Sequence, residues 1–108
     1  RRVCQSCKEA YEPDPHTLEL LGLAPGAVEY LRGRGCEKCS RTGYQGRVGI
    51  FEVLVIDNDI RKAIVEHEPI EKIQTITGGK GLKTLRSDGI RKITAGLTTP
   101  EEILRVSV

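Results

Sequence analysis

An α+β fold is predicted by three observations along this 108-residue chain. Its only four cysteines stand as two identical pairs, Cys4-Gln5-Ser6-Cys7 and Cys36-Glu37-Lys38-Cys39. A β-branched apolar run, residues 48–56, follows the second pair. From Asp57 onward apolar residues recur at spacings of three and four, the helical period. Together these predict a small antiparallel sheet with a two-knuckle Cys4 insertion, stapled by zinc, followed by a cluster of about four short helices. Residues 1–47 form the expected tetracysteine subdomain, and residues 48–108 the returning strand and helical subdomain.

Two Cys-x-x-Cys knuckles supply four thiolates that can converge on one tetrahedral ion. Zinc is the natural occupant, because it prefers four ligands, accepts sulfur and has no redox chemistry of its own. Four sulfur ligands leave no open position for water, which points to a structural ion. Two disulfides are the rival arrangement and suit a secreted protein. A thiol–disulfide oxidoreductase is a further reading, but its motif needs one active pair in a βαβ setting, and two symmetric pairs argue against it. The chain opens Arg1-Arg2-Val3-Cys4 with no apolar leader, as expected of a cytoplasmic piece cut from a longer protein. With one Phe, no Trp and no Met, aliphatic residues supply most of the core. The Gly-rich first half then depends on metal energy, on the order of 10–16 kcal/mol in small zinc modules.

In chain order, residues 1–4 read as the end of a strand that pairs with 48–56. Asp14 caps a short helix with Pro15 at its first position, Leu18 and Leu21 on one face and Gly22 at its end. Residues 24–27 form a turn, and the alternation of Val28, Tyr30 and Arg32 predicts a strand. Residues 40–46 form a loop, and Gly43, Gly46 and Gly49 are expected to take positive φ where the chain turns from knuckle to strand. One of residues 57–59 caps a helix with Ile60, Ala63 and Ile64 on a shared face. Pro69 opens another, ended by Gly78-Gly79-Lys80-Gly81. A third carries Leu82, Leu85, Gly89, Ile93 and Leu97 on one stripe. The last has a complete start signal: Thr99 as N-cap, Pro100 first, and Glu102 closing a capping box.

Several chemistries are excluded. Gly78-Gly79-Lys80-Gly81 lacks the Ser or Thr that must follow the lysine of a phosphate-binding loop, so this stretch is not expected to hydrolyse ATP. No run approaches the ~20 apolar residues of a membrane span. A net charge of +2 makes no strong case for nucleic acid. A zinc-ribbon nucleic-acid module stays as the alternative reading, because Arg32, Arg34, Lys38, Arg41 and Arg47 surround the second knuckle. Those cations are equally suited to offset a tetrathiolate's charge or to meet a partner. His16 reads as a surface residue at a helix start and His67 as a helix-end residue facing the carbonyl dipole. Arg41, Tyr44 and Arg47 are the candidate interface residues.

The stretch Gly35-Cys36-Glu37-Lys38-Cys39-Ser40-Arg41-Thr42-Gly43-Tyr44-Gln45-Gly46-Arg47-Val48-Gly49-Ile50-Phe51-Glu52-Val53-Leu54 resembles the second half of the tetracysteine motif of bacterial type II secretion and type IV pilus assembly ATPases. Arg1-Arg2-Val3-Cys4, Ser87-Asp88-Gly89-Ile90-Arg91-Lys92 and residues 96–106 resemble the flanking parts of the same region. The resemblance implies an accessory and assembly region of a hexameric traffic ATPase, peripheral to the inner membrane on its cytoplasmic face. It implies zinc on Cys4, Cys7, Cys36 and Cys39, and ATP with magnesium only in the parent protein. It further implies contacts with neighbouring subunits of the homohexamer or with an inner-membrane secretion or pilus platform, and no nucleic acid.

Overall fold

The structure, a computed structural model, describes residues 1–107. It has the predicted α+β class: a two-stranded antiparallel sheet with five α-helices, four of them in the C-terminal half. The chain gathers into two compact units, Arg1–Ile50 with Leu85–Val108, and Phe51–Thr84.

In the first unit, β1 (Lys8–Ala10) leaves the first knuckle and pairs antiparallel with β2 (Leu31–Gly33), Lys8 opposite Gly33 and Ala10 opposite Leu31. Nothing in Lys8-Glu9-Ala10 signals a strand, since three mostly polar residues carry no alternation. β2 begins later than the expected 28–32. Tyr30, just before it, is buried: its carbonyl accepts from the Tyr11 N–H at 3.0 Å and its hydroxyl donates to the Ala24 carbonyl at 2.9 Å. Between the strands lies α1 (Pro15–Leu20), capped as predicted: the Asp14 carboxylate accepts from the Thr17 N–H at 3.3 Å. Leu18 and Leu21 are buried, and Gly22 leaves the helix at φ 70°.

The last two helices complete this unit. α4 (Leu85–Thr94) and α5 (Pro100–Val106) send Ile93 and Ile103 into a core shared with Leu18, Leu21 and Tyr30. Each such burial is worth roughly 1.5–3 kcal/mol. Gly89 lets the two helices touch, for a Cβ there would lie 2.6 Å from Ile103 Cγ2.

The N-terminal stretch pairs, but with a different partner from the one expected. Val3 bridges Tyr44, the Arg2 N–H donates to the Gly46 carbonyl at 3.0 Å, and the Cys4 N–H to that of Gly43 at 2.9 Å. Residues 48–56 enter no strand or bridge among the described residues. Phe51, Val53 and Val55 are 67%, 69% and 77% exposed. β-branched composition favours extended backbone, but a strand exists only where a neighbour completes its ladder.

In the second unit, α2 (Asn58–Val65) starts at Asp57, whose carboxylate accepts from the Ile60 N–H at 3.0 Å. Ile60 and Ala63 are buried, whereas Ile64 is exposed. α3 (Ile70–Gly79) runs through both glycines expected to break it and ends at Lys80. Lys80 lies 2.8 Å from Asp57 and 2.9 Å from Asp59. These carboxylates raise its pKa to about 12 and occupy the one lysine that mimicked a phosphate-binding loop.

At the start of α5 the Thr99 hydroxyl accepts from the Glu102 N–H at 3.2 Å, as a cap should. The Glu102 side chain is drawn elsewhere than the capping box predicts. It is buried and accepts from Arg1 Nε at 3.1 Å, from Arg1 Nη2 at 2.9 Å and from the Arg105 guanidinium. Burial pushes this carboxyl up, but the Arg1 and Arg105 guanidiniums, joined by the Arg1 amino group at 3.1 Å, outweigh it and hold the pKa at about 2. A folded pKa below the ordinary 4.5 gives stability that is full above pH 4.5 and lost as pH falls toward 2. Glu102→Gln is therefore expected to cost about 1–3 kcal/mol at neutral pH in denaturant unfolding, with the deficit closing as the titration is repeated toward pH 2.

Candidate metal centre

The two knuckles are brought together by backbone before side chains contribute. β1 and β2 run from Cys7 and toward Cys36, so their pairing brings the two cysteine pairs side by side. The Arg34 N–H donates to the Cys7 carbonyl at 3.0 Å and continues the ladder up to the second knuckle. At the end of β2 the chain passes Gly43 at a distance only two glycines allow. A Cβ on Gly33 would stand 2.0 Å from the Gly43 oxygen, and one on Gly43 would stand 2.4 Å from the Gly33 oxygen.

The second knuckle is a single 3-10 turn, Glu37–Cys39, left through two successive left-handed residues, Ser40 (φ 55°) and Arg41 (φ 66°). For non-glycine residues that conformation costs about 1–2 kcal/mol each. It is held by the Arg41 N–H donating to the Cys36 carbonyl at 2.8 Å and by the Thr42 hydroxyl donating to the Cys39 carbonyl at 2.7 Å. Gly43 and Gly46 take positive φ, as expected, and Gly49 does not. The strained pair was invisible in the sequence, since neither Ser nor Arg signals a left-handed turn.

All four sulfurs lie within 4.8 Å of one another. Cys4 to Cys36 and Cys7 to Cys39 are 3.8 Å, and Cys36 to Cys39 is 3.7 Å. A tetrahedral ion with metal–sulfur bonds of about 2.3 Å has sulfur–sulfur edges of about 3.8 Å, so the residues present fit a single ion of that size. Peptide N–H groups point at the sulfurs: Gly35 to Cys7 at 3.3 Å, and Cys36 and Gly43 to Cys39 at 3.2 and 3.3 Å. Such donors stabilise thiolate over thiol. Burial raises both thiols. At Cys39 the Cys36 and Gly43 donors overcome it and bring the pKa to about 6, whereas at Cys7 burial prevails and the value is about 11. Cys4 and Cys39 are buried, and Cys7 and Cys36 are partly exposed. The four thiols are close but not bonded to one another. The cluster can therefore take a metal ion, and it has the closed ligand set of a structural site.

The other candidates fall in different places. Tyr44 is half-buried within the fold, with Arg1 stacked 4.3 Å above its ring and its hydroxyl 2.7 Å from Thr99 Oγ1. Arg41 and Arg47 are exposed. His16 lies exposed on α1, and His67 follows α2, exposed, at φ 54°; neither joins the cysteine group. Tyr30 is in the core. The Gly33–Gly43 contact escaped sequence reasoning, because it joins the end of β2 to a loop ten residues further along.

Gly33→Ala sets a methyl group against backbone that has nowhere to go. It is expected to separate the knuckles and lower the affinity for zinc or cobalt at least tenfold. Gly46→Ala is the control: a Cβ there meets nothing within 4 Å, so only the strain at φ 77° is felt. Cobalt titration followed by its thiolate charge-transfer band reads both.

A family model described as type II/IV secretion system protein matches residues 1–105. The chain is 49% identical over 107 residues to a type IV pilus assembly ATPase, PilB, of Thermus thermophilus, covering 96% of this chain and 12% of that protein. It is 42% identical over 107 residues to type II secretion system protein E of Pectobacterium carotovorum, covering 99% of this chain and 21% of that protein. The corresponding protein of Pseudomonas aeruginosa is 41% identical over 108 residues, with the same coverage. The chain thus spans an eighth to a fifth of the length of these relatives. Together with the converging cysteine pairs, these matches place the chain in the type II/IV secretion system protein family.

Proposed function

We propose that this chain is the zinc-stabilised accessory and assembly region of a traffic ATPase that powers protein secretion or pilus assembly. The observation that carries the reading is the closed set of four sulfurs at the edge lengths of a single tetrahedral ion. A fully coordinated zinc makes and breaks no bonds, so its role is to hold shape. Cys4, Cys7, Cys36 and Cys39 are the ligands, and residues 1–47 are the subdomain that depends on them. ATP and magnesium belong to the parent protein, whose relatives carry the word ATPase in their names.

Two features support a mechanical role. The run 51–56 leaves Phe51, Val53 and Val55 largely in solvent, which is costly unless another part of the machine covers them. In this reading the run carries the chain back toward the motor core. The second knuckle presents Arg41 and Arg47 outward on a loop whose backbone is fixed by the cysteines. These two cations, with Tyr44 behind them, form the proposed surface toward neighbouring subunits of a homohexamer or an inner-membrane platform protein. No helix among the described residues is long and apolar enough to cross a membrane.

The purified full-length protein is expected to hold one zinc per chain by elemental analysis and to lose it on Cys36→Ser. In this reading that substitution impairs hexamer assembly, stimulated ATP hydrolysis and secretion together. Survival of all three with the zinc gone would sink the proposal. Arg47→Ala is expected to keep the zinc and weaken assembly alone.

A further inference from the structure

We propose that ion binding at the four cysteines and docking of the α4–α5 corner are one linked equilibrium, so that metal occupancy is communicated to α5 through Tyr44. The inference rests on the zinc reading above.

The two backbone stretches that continue from the knuckles are 1–4 and 43–46. They hold each other through three backbone hydrogen bonds, Arg2–Gly46, Gln45–Arg2 and Cys4–Gly43, the last two of which make Val3 and Tyr44 a bridge pair. A pairing this short is marginal unless something fixes its register. Here the register is set by Cys4 on one stretch and by Cys36 and Cys39, just before the other, meeting at one point.

The far side of the same pairing receives residues 97–102. The Val3 N–H donates to the Leu97 carbonyl at 2.8 Å, and the Thr98 hydroxyl donates to the Arg1 carbonyl at 2.8 Å. The Tyr44 and Thr99 hydroxyls are 2.7 Å apart, and the Arg1 guanidinium lies over Tyr44 while binding Glu102. Val3, Thr98, Thr99 and Glu102 are each at most 2% exposed. Thr99 is also the N-cap of α5, a seven-residue helix too short to persist by its own propensity. The helix's cap is therefore made on a platform whose register the cysteines set. Ile103 anchors the body of the helix in the core, and its N-terminal turn is held by the Thr99 cap and by the Tyr11 hydroxyl, which donates to Glu101 at 2.6 Å.

Linkage is reciprocal: if the ion favours the docked corner, the docked corner must favour the ion by the same factor. Tyr44→Phe, which removes one hydroxyl and keeps the ring, is expected to weaken zinc binding about three- to tenfold, and Glu102→Gln by tenfold or more. Neither residue touches a sulfur. Lys72→Ala, which removes an exposed pair with Glu68 in the other unit, is expected to change nothing.

The test is competition for zinc against a chromophoric chelator, on the native chain and the three variants. Stoichiometric zinc uptake by the native chain with weaker uptake by Tyr44→Phe and Glu102→Gln supports the coupling. Normal uptake by the native chain with both variants within twofold of it overturns the coupling and leaves the zinc reading standing. No uptake by the native chain overturns the zinc reading and the coupling with it. Should the variants fold poorly, amide hydrogen exchange on the native chain decides. Withdrawing zinc is expected to speed exchange at Val3 and Glu102 and leave the α2 amides unchanged. Unchanged exchange at Val3 and Glu102 overturns the proposal.

Discussion

Two glycines pressed backbone to backbone, Gly33 against Gly43, are the constraint from which the rest of this structure follows. The carbonyl of each occupies the space where a side chain on the other would be. That approach draws the end of β2 to the exit of the second knuckle, where the four sulfurs lie within 4.8 Å of one another. Thiolates that close repel unless protons or a cation intervene. The fold therefore creates an electrostatic demand that protons or a bound cation can meet.

The division of labour in the metal centre is unusual in how little depends on side chains other than sulfur. Register comes from the β1–β2 ladder, approach from absent side chains, and polarity from peptide N–H groups aimed at Cys7 and Cys39. Beyond the sulfurs, the Tyr44 side chain turns toward α5, where its hydroxyl lies 2.7 Å from Thr99 Oγ1. The chemistry is thus inward and closed, while the outward connections are mechanical.

What could be read in the sequence was whatever has a local signal. The cysteine spacing, the Asp14, Asp57 and Thr99 caps, and the buried faces of α1 and α2 at Leu18 and Ile60 all sit within a turn or two of their partners, and all appear where the pattern placed them. What could not be read was pairing over distance. The run 48–56 has strand composition but no ladder, and its supposed partner 1–4 is taken by 43–46. Glu102 has the spacing of a capping box, yet two arginines, one of them at the far end of the chain, outbid the backbone N–H. Charge-assisted bonds are roughly twice as strong as neutral ones, which settles that competition.

The first unit is discontinuous, closing residues 1–50 with residues 85 onward. During synthesis the four cysteines emerge, and can gather an ion, well before residues 97–102 exist to seat themselves on Val3 and Tyr44. A polypeptide leaving the ribosome would thus carry the cysteine pairs with one side unsealed until residues 97–102 follow. Maturation of this region is then ordered in time, with the sulfur cluster as the early event and the threonine-capped helix as the late one.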